Sequence, residues 1–351
     1  MNEQNQRLPW PDLAKATCII LVVIGHTAES SVALNVDAGT AAKVWDSFVL
    51  GLTPIRVPVF FLISGWLAVR AIQRPWQAVV GPKVLNNAYL YALWLAIYTV
   101  IFGFGLTMSV NHPSNLADFF YNLLVPINTL WYLWALIAYF LIMRGLRSAP
   151  AFIPIALGAV LSLTAGFDSI TDVVPGYVLR GFVFFAVGAA APALVEYASR
   201  TANGRTLAAA LAAFLVAALV VRYFGLGDAP LIPLLNAIPG CWLGITAATV
   251  VARTSVGERF GAYIGQRTLP IYVTHLPIVA ACNVLIWERT SSKGLDLVWP
   301  LIVAVVVTGI ALALYAACQK LRFTWTFGVP QWSSMGNGPT ATRKSRHRQV
   351  Y

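Results

Sequence analysis

Long, nearly unbroken apolar runs divide this chain, and short polar stretches separate them. A helix that crosses the hydrocarbon core of a bilayer needs about 20 mostly apolar residues. Ten runs are of roughly that size: Leu13–Ala33, Ser47–Ala71, Val84–Leu106, Phe119–Met143, Ala151–Gly166, Val173–Val195, Leu207–Phe224, Ala229–Val251, Phe260–Ile286 and Leu297–Cys318. The fifth is the shortest. The fourth begins weakly and carries Pro126 and Asn128, so its outer half is expected to be broken or re-entrant. The runs are continuous rather than alternating, which argues against a closed β-barrel. The pattern predicts an all-α, polytopic integral membrane protein with about ten transmembrane helices. Residues 1–318 form the membrane domain, and 319–351 are expected to be a basic, disordered tail.

Composition narrows the class further. The chain has 351 residues, 58% of them hydrophobic and 11% charged, with a mean hydropathy of +0.72. Soluble domains carry about 25% charged residues, so a soluble enzyme, a disulfide-rich secreted domain, a disordered protein and a coiled coil are all excluded. The net charge is +11. In a soluble protein that would point to nucleic acid, but here it follows from topology, because cytoplasmic loops accumulate Lys and Arg. With the N-terminus inside, eighteen of the 24 basic residues fall on the inner side and four on the outer side. Both termini are therefore expected in the cytoplasm. No nucleic-acid partner, removable leader or appended esterase-like domain is expected. Cys18, Cys241, Cys282 and Cys318 all sit in apolar runs without ligand spacing, so neither a metal site nor a disulfide is expected.

The candidate chemistry lies in the polar residues that interrupt the apolar runs. An ionisable group at membrane depth is costly and marks a functional site by default. His26, Arg56, Arg180 and His275 lie inside the first, second, sixth and ninth runs. At about 1.5 Å per residue, all four fall roughly 18–21 Å from the cytoplasmic side. Lys15 and His26 are 11 residues apart, close to three full turns, so they share a helix face. Asp12 and Glu29 extend that stripe by one step at each end. Such a stripe suits a lined passage from the cytoplasm to a mid-membrane imidazole. There is no HxxxxD, Walker A, HExxH or GxSxG sequence.

Five segments, in order, resemble one family. DLAKATCIILVVIGHT carries the basic residue, ten residues and His of its first span. PVFFLISGW (Pro58–Trp66), LWYLWAL (Leu130–Leu136), GFVFFAVG and IGQRTLPIYVTHLPI (Ile264–Ile278) resemble its later motifs. The chain thus resembles the acyltransferase 3 family of integral-membrane O-acyltransferases over most of its length. Arg56 stands where that family often has His, and Arg70 and Arg74 stand in for its usual Arg-x-x-Arg stretch.

The resemblance implies a cytoplasmic-membrane enzyme that moves an acyl group, most often acetyl, from cytoplasmic acyl-CoA to a hydroxyl of an envelope sugar, glycan or glycolipid. His26 is then the catalytic residue, either as general base or as an acyl relay. Arg56 or Arg180 would steady the oxyanion. Glu29, His275, Ser64, Trp131 and Tyr132 join them as substrate-positioning residues. Lys15, Arg70 and Arg74 would contact the CoA phosphates. Acyl-CoA is expected as a co-substrate, with no tightly bound cofactor. A transporter or flippase using the same polar track is the alternative reading.

Overall fold

The computed structural model describes residues 8–34, 39–106, 111–167, 171, 174–287 and 297–329. Among them the chain is helical, with no strand. In chain order the helices are α1 (Pro9–Leu34), α2 (Gly39–Gln73), α3 (Asn86–Gly103), α4 (Leu116–Leu124), α5 (Trp131–Gly145), α6 (Phe152–Thr164) and α7 (Gly176–Ala190). They continue as α8 (Pro192–Arg200), α9 (Gly204–Tyr223), α10 (Ile232–Val251), α11 (Ser255–Gly265), α12 (Thr268–Cys282) and α13 (Trp299–Lys320). Among the described residues, seven helices are long and apolar enough to cross a membrane, or eight if the bent pair α7–α8 forms one span. Two more apolar helices, α5 and α6, are shorter. The chain is an all-α, multi-pass membrane protein.

Each predicted run contains a helix, but three runs are interrupted. The fourth splits into α4 and α5 around residues 125–130, at Pro126 and Asn128 as expected. The sixth bends by 78° at Ala191, where Pro192 opens α8. Proline lacks the N–H that would continue the ladder. The ninth run begins too early: Phe260 belongs to α11, a separate helix capped by Thr254, and the span proper starts at Thr268.

α1 stands at the centre, in contact with α2, α10, α11, α12 and α13. Lipid tails are as apolar as leucine, so helices in a bilayer associate through close packing of small residues rather than through hydrophobic exclusion. The α2–α7 contact shows this in both directions. A Cβ at Gly65 would strike the Phe185 carbonyl, and one at Gly188 would strike that of Leu62. α11 lies across the start of α1 in the same way, with Gly261 and Gly265 against the backbone of Leu13 and Asp12. Leu211, Leu215, Val216 and Leu219 on α9 face outward, as a lipid-exposed surface requires.

The end of the bundle that carries Lys15, Arg70, Arg74, Lys83 and Arg144 is here called the basic end. A short turn (Trp76–Val79) and a π-helical turn (Val80–Leu85) connect α2 to α3 there. The chain beyond α13 folds back onto α3. Tyr89 Oη donates to the Trp325 carbonyl at 3.0 Å, Trp94 Nε1 donates to that of Thr326 at 2.8 Å, and Val329 N–H donates to Asn86 Oδ1 at 3.1 Å. These bonds tie residues 325–329 to α3, while residues 321–325 remain exposed. The rest of the 319–351 tail lies outside the described residues.

Candidate active site

α1 runs unbroken through both members of its polar stripe, so the two pairs form as local i,i+3 contacts. Lys15 Nζ sits 2.9 Å from Asp12 Oδ1. His26 Nδ1 sits 3.5 Å from Glu29 Oε2, a charge contact longer than a formed hydrogen bond. The Glu29 carboxylate also acts electrostatically on Arg56, so one acidic side chain serves basic residues from two helices.

His26 and Arg56 line one cavity of about 260 Å³. Trp131, Tyr132, Tyr177 and Tyr272 form much of the remaining wall. The Arg56 guanidinium lies against α1 at Gly25, where a Cβ would collide with Nη1. Its Nε finds no hydrogen-bond partner among the described residues. A buried donor beside an empty space is a group prepared for a ligand oxygen. Thr129 Oγ1, on the same cavity, is likewise buried without a partner.

His275 approaches from α12. Its ring centroid lies 5.3 Å from that of His26, tilted by 32°, and the residue is 1% exposed. Its Nδ1 lies 2.6 Å from the Tyr272 carbonyl. A carbonyl only accepts, so Nδ1 carries the proton and Nε2 is the free acceptor. That Nε2 is buried and unpartnered among the described residues. The site thus holds an imidazole with a carboxylate near one nitrogen, a second imidazole beside it, and a guanidinium whose Nε is unpartnered among the described residues.

The break in the fourth run shapes the far side of the cavity. Its carbonyls, freed from a helix, are taken by tyrosine hydroxyls: Tyr177 donates to Pro126 at 2.8 Å and Tyr272 to Thr129 at 2.6 Å. Asn128 replaces further helical bonds. Its Nδ2 donates to Tyr91 Oη and Asn122 Oδ1, and its Oδ1 accepts from Leu130 N–H. Irregular backbone at membrane depth is tolerated only where protein or a cavity satisfies it.

Lys15 and His26 do share a face, and that face borders two cavities. The second, of about 190 Å³, lies toward the basic end and is lined by Lys15, Ser64, Asn87, Tyr132 and Tyr272, among others. A third, of about 160 Å³, adds Lys83 and shares Ser64 and Asn87 with the second. A polar track therefore leads from Lys83 past Lys15 toward His26, interrupted by side chains.

The remaining candidates are placed differently. Arg180 does not line the His26 cavity; its Nη2 donates to the Ala165 carbonyl at 3.2 Å, tying α7 to the end of α6. Equal depth along the membrane normal does not fix the direction a helix presents. Arg70 and Arg74 are exposed at the end of α2 and line none of these three cavities. Tyr177, Tyr272 and Thr129 in the cavity wall, and Lys83 and Asn87 in the track, were not singled out from the sequence. As ordinary wall or loop residues they carry no local signal.

A family model described as an acyltransferase domain (Acyl_transf_3) matches residues 8–318. Inner membrane protein YcfT of Escherichia coli (strain K12) is 26% identical over 93% of this chain and 97% of its own length. Nodulation protein NolL of Sinorhizobium fredii (strain NBRC 101917 / NGR234) is 30% identical over 38% of this chain and 35% of its own. No solved structure matches the chain. With the family model covering nearly all of the membrane domain, this chain belongs to the acyltransferase 3 family of membrane proteins.

Proposed function

We propose that this protein is an O-acyltransferase of the cytoplasmic membrane, with both termini in the cytoplasm. It takes an acyl group, acetyl in the first instance, from cytoplasmic acyl-CoA and delivers it to a hydroxyl of an envelope sugar, glycan or glycolipid. The observation that carries this reading is the His26 cavity: an imidazole backed by Glu29 faces the same space as Arg56, whose Nε has no hydrogen-bond partner among the described residues.

The chemistry follows from that arrangement. With Nδ1 turned to Glu29, the other ring nitrogen of His26 takes the proton of the acceptor hydroxyl as its oxygen attacks the thioester carbonyl. Glu29 steadies the imidazolium. Arg56 holds the oxyanion of the tetrahedral intermediate. As the carbon–sulfur bond breaks, the imidazolium returns the proton to the leaving thiolate, which departs as CoA. Thr129 would fix the acceptor, with Trp131 and Tyr177 as an aromatic wall for a sugar ring. His275, buried against His26 and off the cavity wall, would position the His26 ring. Lys15 and Lys83, flanking the inner track, suit the phosphates of CoA. Arg70 and Arg74 would meet only parts of CoA that remain at the surface.

The experiment is acetylation of envelope material in cells whose only copy carries His26→Ala. Loss of a general base costs about 10²–10⁴-fold, so acetyl incorporation should fall to background at normal protein levels. Undiminished acetylation would remove His26 from the mechanism. A transporter would use the same polar track, but the family match favours group transfer. Consumption of acetyl-CoA by purified protein in vesicles separates the two.

A further inference from the structure

The cavity around His26 and the one beside Lys15 share three side chains, Phe60, Tyr132 and Tyr272. These form a partition, and Tyr132 is fixed at its centre. Its ring stands edge-on to Phe60 at 4.8 Å and to Tyr272 at 5.7 Å, and tilted against Phe61 at 4.9 Å. Its backbone N–H donates to Tyr272 Oη at 3.1 Å. Its hydroxyl lies 2.7 Å from Ser64 Oγ. The single hydrogen of Ser64 is engaged by the Phe60 carbonyl at 2.7 Å, so Tyr132 is the donor of that bond. Three rings and the hydroxyl bond to Ser64 hold the Tyr132 ring between the two cavities.

We propose that Tyr132, braced by Ser64, sets the acyl-length specificity of this protein. The inference rests on acyl-CoA being the donor, as proposed above. A thioester entering past Lys15 must cross the partition before its carbonyl reaches His26. Opening the Tyr132–Ser64 hydrogen bond is a small cost that a thin acetyl thioester exacts. With the ring still held by its other neighbours, the acyl group beyond the carbonyl has only the His26 side of the partition in which to lie. The far side adds a second limit. There a longer chain competes with the acceptor for a cavity of about 260 Å³, and truncating Tyr132 would join to it the cavity of about 190 Å³ beside Lys15.

Membrane vesicles that retain the native acceptor provide the test, with labelled acetyl-, butyryl- and octanoyl-CoA as probes and incorporation into envelope material as the readout. Wild-type protein should use acetyl and discriminate against octanoyl. Tyr132→Ala should raise the octanoyl-to-acetyl ratio about tenfold or more, the scale on which a reshaped apolar pocket discriminates. Tyr132→Phe keeps the ring but loses its bond to Ser64, and should relax the preference less than Tyr132→Ala does. Tyr132→Leu, a bulkier replacement, gives the same comparison where the alanine variant does not accumulate. Acetyl transfer with an unchanged ratio in the small-residue variants would overturn the role of Tyr132 and leave the enzyme reading intact. Equal use of acetyl and octanoyl by the wild type would overturn it too. Incorporation of none of the three by the wild type would instead refute the acyl-CoA reading, and this inference with it.

Discussion

Gly25 immediately precedes His26 in α1, and it has no side chain because the Arg56 guanidinium occupies that space. An alanine there would meet only the far end of a flexible arginine, so the fold can accommodate it while the guanidinium is pushed away. Gly25→Ala should therefore act as an indirect Arg56 variant. On the reading that Arg56 holds the oxyanion, transfer should drop by about 10²–10³-fold, as for loss of one oxyanion donor, with protein level and detergent stability unchanged. Full activity in the alanine variant, measured as acetyl incorporation in vesicles, would separate Arg56 from the chemistry. The stripe from Lys15 to His26 was legible because a helix converts spacing into direction. Arg180 was misplaced by the same reasoning, since depth alone says nothing about which neighbour a side chain meets.

At the scale of elements, the helices are joined by small residues in contact with backbone. Gly188 of α7 is packed against the Leu62 carbonyl of α2, with no space for even a methyl group. Gly188→Val should force the two helices apart and cost about 1–3 kcal/mol, the usual range for overpacking. The measurement is thermal unfolding in detergent, and an unshifted midpoint would show that this contact is not as tight as described. Most of these elements were readable as apolar runs, because a bilayer imposes length and hydropathy directly on the sequence. The break at Pro126 and Asn128 was also readable. The separation of α11 from α12 was not, since Phe260–Gly265 is apolar enough to merge with the span that follows it. The bend at Ala191 was equally hidden: Pro192 lies inside an apolar stretch, and a hydropathy window does not register direction. The tyrosine hydroxyls that hold the 125–130 break come from α7 and α12, far away in sequence, so no local pattern announces them.

At the scale of the whole molecule, the distribution of Lys and Arg carries the proposed orientation. A fluorescent protein fused after Tyr351 should mature, since it folds on the cytoplasmic side, whereas alkaline phosphatase at the same position should stay inactive. The reverse pattern would invert the membrane orientation and with it the side from which the thioester enters. The position of α1 has a consequence for how the protein is made. Among the described helices it precedes all the others in the chain, yet two of the helices packed on it, α12 and α13, follow more than 200 residues later. Until those two are made, the nascent chain carries a helix with Lys15, His26 and Glu29 on one flank and an unfinished bundle around it. A prematurely terminated chain stays in that condition permanently.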